Sequence, residues 1–294
     1  MSSSRPTSDV SAAAVLPAEL RLGPVDLTVP DLDGSIDWYE RALGLRLHLR
    51  EEARAELGDG TEAVVVLHED PEAGPAGRHA GLYHYALLYP SREELAHAAT
   101  RLIETQTPVT GMSDHGTHEA IYLPDADGNG IELAADRPLD VWPSFEEEFA
   151  RGGPAPLDLN ALLATIDGQP PPPQVGEGLR VGHVHLHVGD VEEALAFYRD
   201  VLGFEERANL GSAAFVSAGG YHHHLAFNTW KGEGVGPPPP HTVGLWQWTV
   251  ELPTEADVAE VSRRVEAARA PLEAVEGGFR TRDPCGIAVD FVSA

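Results

Sequence analysis

The sequence has a single cysteine, Cys285, in 294 residues, so no disulfide can close within the chain and the core must hold by packing alone. It has no apolar run long enough to span a bilayer, and its first residues show neither a basic start nor an apolar stretch of the kind that directs export. These absences point to a cytoplasmic protein with no membrane partner. Cations are scarce: 20 Lys and Arg stand against 47 Asp and Glu, a formal net charge of -27. A phosphate backbone or an anionic membrane surface would be repelled, which excludes nucleic-acid binding and leaves solubility as the main effect of the acidity. An acidic surface is also what a high-salt cytoplasm selects, so the charge speaks of habitat as readily as of partner. The 42% apolar content is that of a globular chain, and the length suits two domains.

What is present is a repeat. Residues 23–44 read GPVDLTVPDLDGSIDWYERALG and residues 182–203 read GHVHLHVGDVEEALAFYRDVLG; adding 159 maps Asp31 to Asp190, Tyr39 to Tyr198 and Gly44 to Gly203. Separation on this scale marks a duplicated unit. Each copy begins with alternation (Val25, Leu27, Val29; Val184, Leu186, Val188), a strand, and passes to helical spacing (Ile36, Tyr39, Leu43; Ala194, Phe197, Val201). Strands are expected next over 46–51 and 61–68. GLYHYALLYP then opens a second unit, followed by a helix capped by Ser91 with Glu94 three residues on, and by strands EAIYL and GIELAA around the turn DADGNG.

The C-terminal half repeats the plan, with strands around 207–210 and 213–217, a His-rich strand HHHLAFN at 222–228, and GLWQWTVELP, a helix and GIAVDFV to close. The expected fold is α+β: four repeated βαβββ-type units forming two domains with curved mixed sheets. The expected boundaries are a disordered tail at 1–18, an N-terminal domain at 19–136, a Pro-rich linker at 137–178 with one amphipathic piece at 157–166, and a C-terminal domain at 179–294. The loop KGEGVGPPPP reads equally as a pocket lid or a plain surface loop.

Four copies show which positions are spent on function. At the opening-strand position the units carry Pro24, His84, His183 and Gln247, and the closing strands of the second and fourth carry Glu132 and Asp290. The middle two units therefore hold two imidazoles and a carboxylate, His84, His183 and Glu132, and the outer two cannot assemble that set. Two His and one carboxylate on one face of a metal leave positions open, as an iron(II) oxygenase needs to bind substrate and oxygen together. Glu132 lies in an otherwise apolar strand, where an unpartnered carboxylate costs several kcal/mol. Asp26, in line with His185, reads as exposed or as a supporting residue, and of His222, His223 and His224, alternating along a strand, at least one is expected to face solvent.

The paired strand-helix repeats with WY or FY and LG, the YHYA strand, DGNGIEL and YHHHLAFN together resemble the vicinal oxygen chelate superfamily, and within it the type I extradiol ring-cleavage dioxygenases of the catechol 2,3-dioxygenase kind. The resemblance covers about residues 20–135 and 180–294. It implies a glyoxalase/dioxygenase-like fold, Fe(II) held by His84, Glu132 and His183 (with Mn, Zn or Ni as alternatives), and a small aromatic substrate with O2. It further implies that His223 moves protons beside the substrate, that Tyr122 donates a hydrogen bond there, and that His115 assists. Familiar two-domain members draw all three ligands from the C-terminal half, where this chain has Gln247 and Asp290; the expectation is therefore a pocket shared by units two and three. A non-redox isomerase, lyase or glyoxalase-type enzyme and a drug-sequestering binding protein are the alternatives, and homo-oligomerisation is left open.

Overall fold

The structure is a computed structural model that describes residues 15–144, 147, 150 and 152–294, and each repeat in it is a βαβββ unit. Unit one comprises β1 (Arg21–Val29), α1 (Leu32–Leu43), β2 (Arg46–Arg50), β3 (Arg54–Gly58) and β4 (Ala63–Glu69). Unit two comprises β5 (Gly81–Tyr89), α2 (Arg92–Glu104), β6 (Gly111–Asp114), β7 (His118–Pro124) and β8 (Gly130–Asp136). A two-residue strand β9 (Ala155–Pro156) and helix α3 (Leu159–Leu163) precede unit three: β10 (Arg180–His187), α4 (Val191–Leu195, continuing as a π-wound segment Ala196–Leu202), β11 (Glu205–Asn209), β12 (Ala213–Ser217) and β13 (Leu225–Asn228). Unit four is β14 (Gly244–Leu252), α5 (Glu255–Ala267), β15 (Glu273–Val275), β16 (Gly278–Arg282) and β17 (Ala288–Ser293). Strands β3, β6, β15 and β16 were not foreseen because they are short and partly exposed, with little apolar alternation to mark them.

Local chemistry explains the helix ends. The Asp31 carboxylate accepts from the Gly34 N–H (3.0 Å) to start α1, and Gly44 ends it at φ 70°, a left-handed turn where a side chain would be strained and would also meet the guanidinium of Arg101. Gly203 repeats the device at φ 94°. These caps bring each chain segment back onto its own sheet.

The sheets pair crosswise. β1 runs antiparallel to β14 and parallel to β4, while β10 runs antiparallel to β5 and parallel to β13. Unit one thus shares a curved sheet with unit four, and unit two with unit three, so each cup takes one unit from each half of the chain. The contact Leu22↔Val181 joins them into one 17-stranded sheet among the described residues. The helices pair in sequence instead: Tyr39 of α1 donates its OH to Asp125 in the turn of unit two (2.8 Å), and Tyr198 donates to Asp283 in the turn of unit four (3.0 Å). Buried Leu27, Tyr85, Val184, Phe227 and Trp248 fill the space between sheets and helices, each side chain contributing about 1.5–3 kcal/mol by leaving water.

Two expectations are corrected. The described part of the stretch read as a linker from its prolines is packed over 157–178: α3 is capped by Asp158 and lies against α2, and Leu162 in it and Ile166 in the turn that follows are buried. Its amphipathic piece gains enough apolar burial to be held, and Val175 N–H donates to the Gly44 carbonyl (2.8 Å). Of the expected disordered tail, residues 1–14 lie outside the described residues, but Leu16 is buried in the core and its N–H donates to the Gly203 carbonyl (2.8 Å). No helix among the described residues is long and apolar enough to cross a membrane.

Candidate metal centre

Three β-bulges decide what the cup of units two and three presents. Gly182 is the extra residue between the pairs Val181↔Leu87 and His183↔Ala86, Tyr83 between His185↔His84 and Leu186↔Leu82, and Arg207 between Glu206↔Val216 and Ala208↔Phe215. A bulge re-aims side chains, so Tyr83 and His84, adjacent in sequence, both line one cavity, which strict alternation forbids.

His84 from β5, Glu132 from β8 and His183 from β10 meet at the floor of this cavity. Glu132 Oε2 lies 3.1 Å from His84 Nε2 and 3.1 Å from His183 Nε2, and the two nitrogens are 3.2 Å apart. All three residues are buried. Protons satisfy such a triangle poorly: if both imidazoles carry a proton at Nε2, two donors compete for one oxygen and face each other, and if one does not, its lone pair faces a carboxylate. A divalent cation takes all three lone pairs at once. Nitrogen and oxygen ligands about 2.1 Å from one ion and at right angles stand about 3.0 Å apart, close to the separations seen here. The residues fit a divalent metal.

Burial alone would raise the Glu132 pKa, but the positive charge that His183 takes on only at acid pH, where the carboxylate titrates, and hydrogen bonds from His118, His183 and His84 hold it well below the usual carboxylate range. Desolvation lowers His183 against the pull of Glu132, so its imidazole favours the neutral form that a metal requires. His118, which the sequence reading missed, steadies the carboxylate. Thr117 Oγ1 donates to His118 Nδ1 (2.9 Å), which leaves the proton on Nε2 to donate to Glu132 Oε1 (3.0 Å), so Oε2 is the oxygen turned to the imidazoles of His84 and His183. A signal existed: His118 shares a strand face with Tyr122, and the small pair Ala120↔Ala134 leaves room for His118 and Glu132 to meet above it.

The other candidates gather around this floor. His223 lines the cavity with its ring centroid 4.3 Å from that of His183, and its Nδ1 shares a hydrogen bond with His222 Nδ1 (2.9 Å). Burial pushes the His223 pKa well below its ordinary value and that of His222 down to about 3. Contrary to expectation, His222–His224 precede β13 in a bend and none of the three is exposed, because the extended alternation starts only at Leu225. His224 Nδ1 instead accepts from the Ala218 N–H (3.2 Å). Tyr122 OH and His115 Nε2 share a hydrogen bond at 2.8 Å and both line the cavity. His185 and His187, on the same strand as His183, are tied to Asn228 (2.8 Å each).

The cavity holds about 400 Å³, within the range of small-molecule sites, and its walls include Tyr83, Trp142, Phe215 and Trp230. None of these was foreseen, since they come from four separated segments. The Gly/Pro loop at 231–240 does not line it; the Gly236 carbonyl accepts from the Ala80 N–H (2.8 Å), which fastens the loop to the surface.

In the cup of units one and four the equivalent positions are differently occupied. Asp290 is held by Arg280 through two bonds (2.7 and 2.9 Å), and Asp26 is buried against His68 Nε2 (2.6 Å), so it is neither exposed nor beside the triad.

Comparison with known proteins agrees with this architecture. The family model described as "Glyoxalase/Bleomycin resistance protein/Dioxygenase superfamily" matches residues 21–133 and 180–291. The chain is 39% identical over 280 residues to a catechol-2,3-dioxygenase of Bacillus subtilis (strain 168), covering 93% of this chain and 98% of that protein. Among solved structures, a Bacillus subtilis protein superposes with a TM-score of 0.63 at 12% identity, over 95% of this chain and 86% of its own. Glyoxalase I from Zea mays gives 0.56 at 17% identity, over 94% and 92%, and at such identities the likeness speaks for the fold alone. The crosswise βαβββ cups, the two matched segments and the close relative lead to one placement: the chain belongs to the glyoxalase/bleomycin resistance protein/dioxygenase superfamily, the vicinal oxygen chelate proteins.

Proposed function

We propose that the protein is an iron(II)-dependent extradiol dioxygenase that opens a catechol-like aromatic ring with O2. The observation that carries this reading is the buried triangle of two imidazoles and one carboxylate at the floor of an aromatic-walled cavity, the donor set of non-haem Fe(II) oxygenases. The relative named catechol-2,3-dioxygenase supports it. His84, Glu132 and His183 would hold the iron, and Fe(II) there would supply the electron-transfer chemistry through which O2 and an aromatic ring react.

The chain's own contributions follow from position. His223 is neutral at physiological pH because burial disfavours its charged form, so it can accept the proton of a catechol hydroxyl and return it later. Its hydrogen bond to His222 fixes the ring that does so. Tyr122, oriented by His115, presents a hydroxyl to the same space, and the aromatic walls shed water and flank a flat ring.

The test is anaerobic loading with Fe(II), then air and a panel of catechols, following oxygen uptake and the yellow ring-opened product. Uptake with colour is expected. Neither signal with any catechol would turn the assignment to a non-redox metalloenzyme of the same superfamily.

A further inference from the structure

We propose that Asn228 is a positioning residue of the metal centre: it holds His185 out of the coordination sphere and so keeps positions open for the catechol and O2, an inference that rests on the ring-cleavage reading for what fills them. The histidines of β10 pose the problem. Residues two apart on a strand share a face and stand about 6.7 Å apart, near enough for two imidazoles to reach one ion. His185 stands so beside His183, pairs in register with His84 on β5, and has its ring centroid 4.9 Å from that of His84. It is buried and lines the same cavity. Yet the triangle consists of His84, Glu132 and His183 without it.

Asn228 supplies the reason. It is fully buried at the end of β13, and the Trp230 backbone orients its amide. A backbone N–H can only donate, so the amide atom 3.0 Å from the Trp230 nitrogen is the oxygen, Oδ1. Nδ2 therefore faces His185 Nε2, at 2.8 Å. An amide nitrogen can only donate in turn, so His185 Nε2 accepts and the ring proton sits on Nδ1. Neither nitrogen is then able to bind a cation, since the lone pair of Nε2 is spent on Asn228 and Nδ1 carries the proton. Direction adds to chemistry: β10 lies between β5 and β13, so the bond draws Nε2 toward β13, while His84 stands on β5 and Glu132 on β8 beyond it. His187 Nδ1 donates to the same Oδ1 (2.8 Å), which fixes the amide further. Without the amide, Nε2 is a buried acceptor lacking a donor beside an ion that accepts lone pairs, and the ring turns to the metal as a fourth protein ligand.

The experiment titrates Fe(II) under argon against a chelating dye, then reads binding of 4-nitrocatechol to the loaded protein by its visible absorption. Asn228→Leu should bind Fe(II) about 10-fold more tightly and 4-nitrocatechol about 10-fold less tightly, whereas simple damage to the site weakens both. Adding His185→Leu should abolish the gain in metal affinity, because Asn228 acts through that ring. Nitrogen NMR of the wild-type histidine rings, with the His185 signals identified by their loss in His185→Leu, should show the proton on Nδ1 both without metal and with Zn(II) bound. If Asn228→Leu does not fold, this spectrum decides alone. Affinities that fail to move in these directions, a gain that survives His185→Leu, or a His185 ring that is protonated on Nε2 or coordinated to Zn(II) overturns the proposal. Any of these alongside cleavage of a catechol by the wild type leaves ring cleavage standing and removes this inference. Tighter Fe(II) and weaker 4-nitrocatechol in Asn228→Leu, with no catechol cleaved by the wild type, does the reverse.

Discussion

Replacing Glu132 by Gln keeps the shape of the side chain and removes its charge, which makes it the sharpest probe of the triad. In the structure Glu132 is 1% exposed and stands within 3.1 Å of three imidazole nitrogens, those of His84, His183 and His118. A cation at this point loses its only anionic ligand, and the amide NH2 is a donor turned toward nitrogens that need an acceptor or a metal. The expected loss of Fe(II) affinity is about 100-fold or more, which is about 2.8 kcal/mol. His84→Ala and His183→Ala should empty the site to a similar degree, whereas Gln247→Ala and Asp290→Ala should leave it filled. Asp290→Ala also strands the Arg280 guanidinium, so it costs stability, and metal must be counted per folded molecule. The assay is anaerobic Fe(II) loading, removal of free ion and metal analysis, with near-ultraviolet dichroism to check folding. If Asp290→Ala empties the protein and His84→Ala does not, the centre lies in the other cup and the reasoning fails.

Three further outcomes are expected. His223→Ala should keep its iron and lose turnover about 100-fold, with Tyr122→Phe losing less, as measured by oxygen consumption at saturating catechol; unchanged turnover in His223→Ala would remove its proton-transfer role. His118→Ala should weaken metal binding about 10- to 100-fold by freeing Glu132 to rotate, and His118→Gln, which can still donate, should recover part of that; equal Fe(II) dissociation constants in all three proteins would show that His118 holds nothing in place. Burial raises Asp283 from 3.8 to about 6 despite backbone hydrogen bonds and the Tyr198 hydroxyl. The folded state thus binds the proton more tightly than the unfolded state, so this stabilisation is present below the ordinary carboxylate range and is lost as pH rises through about 6. Relative to Asp283→Asn, the wild type should lose about 2 kcal/mol between about pH 3.8 and pH 6 in urea unfolding, out of about 3 kcal/mol over the whole titration, and parallel profiles for the two proteins would contradict it.

How far the sequence reached depends on whether a feature leaves a periodic trace. The first and fourth strands of a unit, with their helix, repeat at near-constant spacing, so Tyr39 and Tyr198, Gly44 and Gly203, and the DADGNG and DPCGIA turns could be aligned without coordinates. That alignment also singled out His84, Glu132 and His183, which the structure brings within 3.2 Å of one another. Bulges leave no such trace. Tyr83 and Arg207 reach the cavity because one residue is inserted in a ladder, and alternation places each on the wrong face. Trp142 lies in the stretch that composition marks as a linker, and His222 belongs to a bend that reads as the start of a strand. The crosswise pairing was legible only through what was missing: a complete ligand set existed in no single half of the chain.

The two cups show two ways in which a carboxylate buried in a sheet interior is satisfied. A lone carboxylate in a sheet interior costs several kcal/mol, so the position must find another cation or lose its charge. In the cup of units two and three, Glu132 has the imidazoles of His84 and His183 and a donating His118 around it. In the other cup, proline and glutamine stand where the imidazoles would be, and Asp290 meets a guanidinium from the neighbouring strand β16, in register opposite it. Arg280 supplies both the charge and two well-aligned donors, satisfying one carboxylate without coordination chemistry. Asp26 is met in the same manner by His68 on the neighbouring strand β4. Each cup thus keeps the charge balance that burial demands, one with an arginine and the other with a cluster of histidines whose nitrogens and the Glu132 oxygen stand a few tenths of an ångström from metal-binding geometry.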